Sequence, residues 1–128
     1  QMGGIKRILI CNGKVYYDLL KERTARGIKD IAIIRLEQMY PWPEQKLAEI
    51  VNRYPNAKDI AWVQEEPRNM GAWSHVFGYW SGGFDQFSEK VGKRAIRYVG
   101  RDIAASPAVG SPKVHEADQK SLVDRALS

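Results

Sequence analysis

Two adjacent carboxylates, Glu65 and Glu66, follow the apolar run Ile60-Ala61-Trp62-Val63 and lead through Pro67 towards Asn69, Gly71 and Trp73. Paired carboxylates do general acid/base work only when both reach one substrate. Neighbouring positions at a strand end point to opposite faces, so this pair reads as structural. Pro67 bars most continued hydrogen-bonded structure, Gly71 opens a backbone path closed to other residues, and Trp73 brings a surface that needs burial. Glu65, Glu66, Asn69, Gly71 and Trp73 are therefore expected to form a specific structural loop, one carboxylate accepting hydrogen bonds from the Arg101 loop or from Arg35. His75 and His115 stand far apart, with no cysteine or acid at metal-ligand spacing, so no metal site is expected. Cys11, at a buried strand end, reads as a small core residue and not as a nucleophile. The chain has no P-loop, dinucleotide fingerprint or nucleophile elbow, and no catalytic residue is assigned.

A second constellation suits binding. Asn12-Gly13-Lys14, Glu37-Gln38, Gln64-Glu65-Glu66 and Gly100-Arg101-Asp102 each follow an apolar run, and ligands of open α/β sheets collect outside the carboxyl ends of strands. Asn12 and Gln64 offer amides, Lys14 and Arg101 offer cations, and Gly13 with a helix N-terminus presents N–H groups to an anion. These four residues form a candidate site for a phosphate-bearing effector. The alternative is that they cap helices and pair with Glu37, Glu65, Glu66 and Asp102 in one hydrogen-bonded rim.

The elements that must position these groups follow from the pattern. Arg7 to Cys11, Ile31 to Ile34, Ile60 to Val63 and Ile96 to Val99 are short apolar runs of the buried parallel-strand kind. Helices are expected from Val15 to a stop at Gly27, from Pro43-Glu44 along the stripe Leu47, Ile50, Val51 and Tyr54, and near the end through Leu122, Val123, Ala126 and Leu127. The aromatic segment Trp73, Phe77, Tyr79, Trp80 has no clear assignment; Gly82-Gly83 marks a turn, and Phe84 to Val91 suits a helical turn or two. The expected fold is α/β, a mainly parallel sheet of about four to five strands with helices on both faces. Several aromatic residues cluster outside the strands, in Tyr40–Trp42 and Trp73–Trp80, and burial against another domain or subunit is their natural outlet.

At 128 residues, 44% hydrophobic and 27% charged, the chain fits one globular domain that buries roughly two thirds of its unfolded surface. No apolar run reaches the roughly 20 residues of a membrane span, and a single cysteine points to a reducing compartment. Gln1-Met2-Gly3-Gly4 reads as a cloning remnant without a secondary element, joined to a native segment near Ile5. The net charge of +5 is scattered except from Lys90 to Arg101, where five cations occur without an acid. That stretch is open to three readings: a solvated strand approach, an anion or partner site, or nucleic-acid contact, the last unsupported by any recognition helix or stacking pattern.

Asn12-Gly13-Lys14-Val15-Tyr16-Tyr17-Asp18-Leu19, Arg35 through Pro43, Gln64 through Trp73, and Tyr98-Val99-Gly100-Arg101 through Ser111 with His115 resemble, in order and spacing, the C-terminal domain of the thiamine diphosphate-dependent first component of 2-oxoglutarate dehydrogenase. The family more often has serine where Asn12 stands. The resemblance covers residues 5 to 128. It implies a transketolase C-terminal-domain-like fold in a larger enzyme that decarboxylates 2-oxoglutarate and succinylates the lipoyl arm of a dihydrolipoyl succinyltransferase component. A 2-oxoadipate-acting relative is the nearest rival. By resemblance the parent is a homodimer using thiamine diphosphate and magnesium, in bacterial cytoplasm or mitochondrial matrix. The Gly-Asp-Gly and Asn-Asn cofactor signature is absent here, so this chain is expected to bind no cofactor and to be inactive alone. Its expected role is structural, or regulatory through an adenine nucleotide or acyl-coenzyme A bound at Asn12, Lys14, Gln64 and Arg101. Neither a nucleic acid nor a membrane is an expected partner.

Overall fold

A computed structural model describes residues 2–81, 87–101 and 112–128, the side chains of 112–115 excepted. The four apolar runs become strands β1 (Arg7–Cys11), β2 (Ile31–Arg35), β3 (Asp59–Pro67) and β4 (Ile96–Arg101). They form one sheet in the order β2-β1-β3-β4, with every pairing parallel. Strand alternation divides the apolar side chains between two cores. Ile8, Ile10, Ile60, Trp62 and Ile96 face one side; Leu9, Cys11, Ala61, Val63 and Val99 face the other.

Helices α1 (Val15–Ala25) and α5 (Pro112–Leu127) close the second face through Val15, Leu19, Leu122, Val123, Ala126 and Leu127. Helices α2 (Glu44–Asn52), α3 (Trp73–Trp80) and α4 (Phe87–Lys90) close the first. The α/β fold with helices on both faces is thus present, with four strands among the described residues. Gly27 ends α1 at φ +66°, where the Gly27 and Ile28 N–H groups donate to Thr24 and Arg23 carbonyls.

Several details differ from the sequence expectation. The aromatic segment is helix α3, because Trp73, Val76 and Trp80 fall on one face and fill the core. All four tryptophans are buried by the domain itself: Trp42 stacks on Tyr79 at 4.7 Å and meets Phe87 edge-on at 5.5 Å, and Trp80 meets Phe87 at 4.9 Å. Only Tyr40, 73% exposed, and Phe77, 47% exposed, stay open among the aromatics of these two segments. Ile50 and Tyr54 are half-buried flanks of the α2 stripe. Met2–Gly4 form a 3-10 turn, held where Asn56 Nδ2 donates to the Gly3 carbonyl at 2.9 Å. The expected Gly82-Gly83 turn lies outside the described residues, as do Phe84 to Gln86 and the loop from Asp102 to Ser111.

The basic stretch mostly serves the fold. Arg94 donates to the carbonyls of Tyr54, Ala57 and Val91 and to Asn52 Oδ1, tying the end of α2 to the approach of β4. Lys90 pairs with Glu44 at 2.8 Å, and Arg97 with Asp59 at 2.7 Å. Asp59 also accepts from Arg7 at 2.7 Å. Its carboxyl is held below the usual range, first by the hydrogen bond from Arg97, against the opposing effect of burial, with Arg7 assisting. A depressed folded-state pKa means that stability is present above the unfolded value of about 3.9 and is lost as pH falls below it. Melting temperature measured from pH 5 down to pH 2 is therefore expected to fall less steeply in Asp59→Asn than in the wild type; parallel curves would remove Asp59 from the acid response.

Candidate functional site at the carboxyl ends of the strands

β1 ends at Cys11, and the chain leaves the sheet through exposed Asn12, then Gly13 at φ +83°, a left-handed conformation that favours glycine. Asn12 Nδ2 donates to the Leu36 carbonyl at 2.5 Å, fastening this turn to the exit of β2. Lys14 is the exposed N-cap of α1 and makes no side-chain capping bond. Asn12, Lys14 and the first turn of α1 thus stand together at the rim.

Arg35, at the end of β2, belongs to the same rim, where the sequence suggests it only as a partner for Glu65 or Glu66. Its guanidinium instead pairs with Glu37 at 3.1 Å, donates to the Tyr17 hydroxyl at 3.0 Å and lies 5.1 Å from the Tyr17 ring centre. The cause is geometric: Tyr17 on the first turn of α1 flanks Arg35, and Glu37 follows it by two residues. Helical spacing from Gly13 was the signal that could have placed Tyr17 there.

Gln64 is not a loop amide. β3 continues through Gln64, Glu65, Glu66 and Pro67, with a register irregularity between Val63 and Pro67 where it pairs with β4. Pro67 closes the strand, where its missing N–H costs least. Gln64 is 3% exposed. Its Oε1 accepts from Trp62 Nε1 at 2.8 Å, and its Nε2 lies 3.2, 3.0 and 2.9 Å from the carbonyls of Glu66, Pro67 and Met70. Both ends of the amide are engaged, so Gln64 builds the loop and presents nothing to a ligand.

The remaining residues of the expected structural loop surround this amide. Glu65 and Glu66 lie on opposite sides of β3: Glu65 acts electrostatically on Cys11, whereas Glu66 Oε1 borders Gly71. Gly71, at φ +68°, leaves a Cβ only 3.1 to 3.2 Å from Glu66 and Gln64 side-chain atoms, so both conformation and space call for glycine. Asn69 is exposed and Trp73 buried, its ring 5.4 Å from that of Tyr98. Arg101 is half-buried at the end of β4; its carbonyl accepts from Arg68 N–H at 3.1 Å and from the Tyr98 hydroxyl. The bond from Arg68 ties the strand end of β4 to the exit of β3. Asp102 lies outside the described residues.

Among the described residues no reactive group emerges beside the rim. Cys11 is fully buried, and desolvation, opposed by Arg35 and assisted by Glu65, pushes its thiol up to about 12. Native protein is expected to react negligibly with a thiol-disulfide reagent at pH 8 and to react stoichiometrically once unfolded; fast native labelling would contradict this burial. His75 sits 3.1 Å from the Met39 carbonyl among Tyr40, Trp42 and Tyr79. The side chain of His115 lies outside the described residues. Among the described residues no group of three or more His, Cys, Asp or Glu is placed to hold a metal ion, and no helix is long and apolar enough to cross a membrane.

The fold and rim define a parallel α/β domain whose strand ends present one amide and a few cations beside a helix N-terminus. The family described as 2-oxoglutarate dehydrogenase C-terminal matches residues 1–127, and the chain belongs to it. The chain is 44% identical over 127 residues to the 2-oxoglutarate dehydrogenase E1 component of Haemophilus influenzae, covering 97% of itself and 13% of that relative. It is 43% identical over 124 residues to the mitochondrial 2-oxoglutarate dehydrogenase of Dictyostelium discoideum, covering 97% and 12%. A protein of the same organism named as a probable 2-oxoadipate dehydrogenase complex component E1 homolog is 44% identical over 124 residues, covering 97% and 13%. The chain therefore spans 12 to 13% of the length of these relatives.

Proposed function

We propose that this chain is the C-terminal, non-catalytic unit of a thiamine diphosphate-dependent enzyme that oxidatively decarboxylates 2-oxoglutarate and succinylates a lipoyl group. The observation that carries the reading is similarity along 97% of the chain to proteins named for that activity. A 2-oxoadipate-acting parent is the alternative. The rim does not fit the magnesium that thiamine diphosphate is bound with: Glu37 is taken by Arg35, Glu65 and Glu66 lie on opposite sides of β3, and no group of three or more His, Cys, Asp or Glu among the described residues is placed to hold a metal ion. The remaining domains of the parent would hold both. The unit's role is to buttress those domains and the homodimer, with Tyr40 and Phe77 as the exposed contacts, while the dihydrolipoyl succinyltransferase component receives the acyl group. Bacterial cytoplasm or mitochondrial matrix is the corresponding location. The isolated chain, given cofactor, magnesium and 2-oxoglutarate, is expected to release no carbon dioxide, while Tyr40→Ser with Phe77→Ser in the parent enzyme weakens its dimer. Turnover by the isolated chain would overturn the reading.

A regulatory role is favoured by one observation: Asn12 and Lys14 flank Gly13 at the start of α1. An adenine nucleotide or acyl-coenzyme A would place its phosphate there, with Arg101 nearby; Gln64 would only hold the loop. At 100 times its dissociation constant such a ligand stabilises the domain by about 2.7 kcal/mol. A saturable thermal shift lost in Lys14→Ala and Arg101→Ala supports the site, and a shift retained in both excludes it.

A further inference from the structure

The chain carries a net charge of +5, and the arrangement of the sheet gathers much of it at the end opposite the rim. Because all four strands run parallel, the residues just before them line one edge. Each strand is preceded within three residues by an exposed lysine: Lys29 before β2, Lys6 before β1, Lys58 before β3 and Lys93 before β4. In sheet order these stand about 4.8 Å apart from strand to strand, so the row extends roughly 15 Å. Among the described residues none of the four forms a salt bridge. The acids of this edge do not balance them. Asp59 is shared between Arg7 and Arg97, which leaves, among the described residues, Asp30 and the terminal carboxylate of the 128-residue chain at Ser128, both lining one hollow with Lys6, against four lysines. Helices α1, α2 and α5 return antiparallel to the strands and turn their C-termini to this end, but at about half a charge each they offset only about 1.5 of the excess.

We propose that this lysine edge is a docking surface for an acidic segment of another protein. Lysine ammonium groups are well suited to clustered carboxylates as point charges, and three of the arginine forks at this end are already occupied, Arg7 and Arg97 by Asp59, Arg94 by main-chain carbonyls and Asn52, with Arg53 exposed at the C-cap of α2. Among the described residues the exposed aromatic side chains lie elsewhere: Tyr17 and Tyr40 follow the carboxyl ends of the strands and Phe77 sits on α3, so none of them gives the edge a platform for stacking bases. Four separate loops supply the lysines, and only the parallel sheet brings them into one row.

The probe is fluorescein-labelled decaglutamate, titrated with the 128-residue chain and read by anisotropy. Expected are saturable binding that weakens about tenfold between about 20 and about 200 mM salt, and a loss of at least about tenfold in Lys6→Glu/Lys29→Glu/Lys58→Glu/Lys93→Glu, with Lys46→Glu, exposed on α2, unchanged. Amide shifts of the wild-type protein on adding decaglutamate should centre on Lys6, Lys29, Lys58 and Lys93, a readout independent of whether the variant folds. Absence of binding, shifts centred on Lys14 and Arg101, or tighter binding of a mixed-sequence DNA duplex than of decaglutamate would each overturn the proposal.

Discussion

Replacing Gln64 by Met is expected to destabilise the protein by about 3 to 5 kcal/mol, a large effect for a single polar substitution. Methionine conserves the volume, so the loss isolates hydrogen bonding from packing. Without the amide, Trp62 Nε1 loses its acceptor inside the core, and the carbonyls of Glu66, Pro67 and Met70 lose their common donor. Each buried group left unpaired costs about 1 to 3 kcal/mol, and water does not readily replace an amide that is 3% exposed. The turn from Pro67 to Gly71 should loosen at the same time, because its carbonyls converge on this one side chain. Urea unfolding followed by tryptophan fluorescence measures the change. A loss under about 1 kcal/mol with an unchanged urea dependence would mean that the loop holds itself without Gln64.

Gly100→Ala is expected to cost about 3 kcal/mol for a different reason. A Cβ at position 100 would stand 2.6 Å from the Tyr98 hydroxyl oxygen and 2.7 Å from the Gln64 carbonyl oxygen. The first contact can be relieved by moving Tyr98, at the expense of its bond to the Arg101 carbonyl; the second is main chain and cannot move without separating β3 from β4. Gly100→Ala combined with Tyr98→Ala should therefore recover only part of the loss. Gly13 supplies the contrast, since a Cβ there meets nothing within 4 Å and its φ of +83° is the sole obstacle. Gly13→Ala is expected to cost about 1 kcal/mol, so the difference between the two alanines, read from one set of denaturation curves, separates crowding from backbone conformation. Equal losses would refute the close approach at Gly100. Gln64 and Gly100 approach each other through the Gln64 carbonyl, so their combined variant should fall short of additivity.

The four strands, their parallel direction and the positions of α1, α2 and α5 were legible because each depends on local apolar pattern and on glycine and proline placement. Helix α3 was less so, since Trp73, Phe77, Tyr79 and Trp80 make nearly every face apolar and blur the helical period. Family membership was also legible, carried by the loops Asn12–Leu19, Arg35–Pro43 and Gln64–Trp73, whose combination of residues is far more specific than the sheet they leave. The chemistry of the candidate rim was harder to read. Asn12, Lys14 and Arg101 do stand at strand ends, but whether an amide or guanidinium faces solvent or its own fold depends on partners distant in the chain. Gln64 turned inward because Trp62 and the returning turn offered it a donor and acceptors at once; Arg35 went to Tyr17 and Glu37; Arg94 reached the Tyr54 carbonyl, 40 residues away. The row formed by Lys6, Lys29, Lys58 and Lys93 has no linear signature at all. A sequence by itself determines which segments must be buried, because burial follows from local composition and period, whereas the pairing of polar groups and the summation of charge along an edge exist only once parallel strands have been laid side by side.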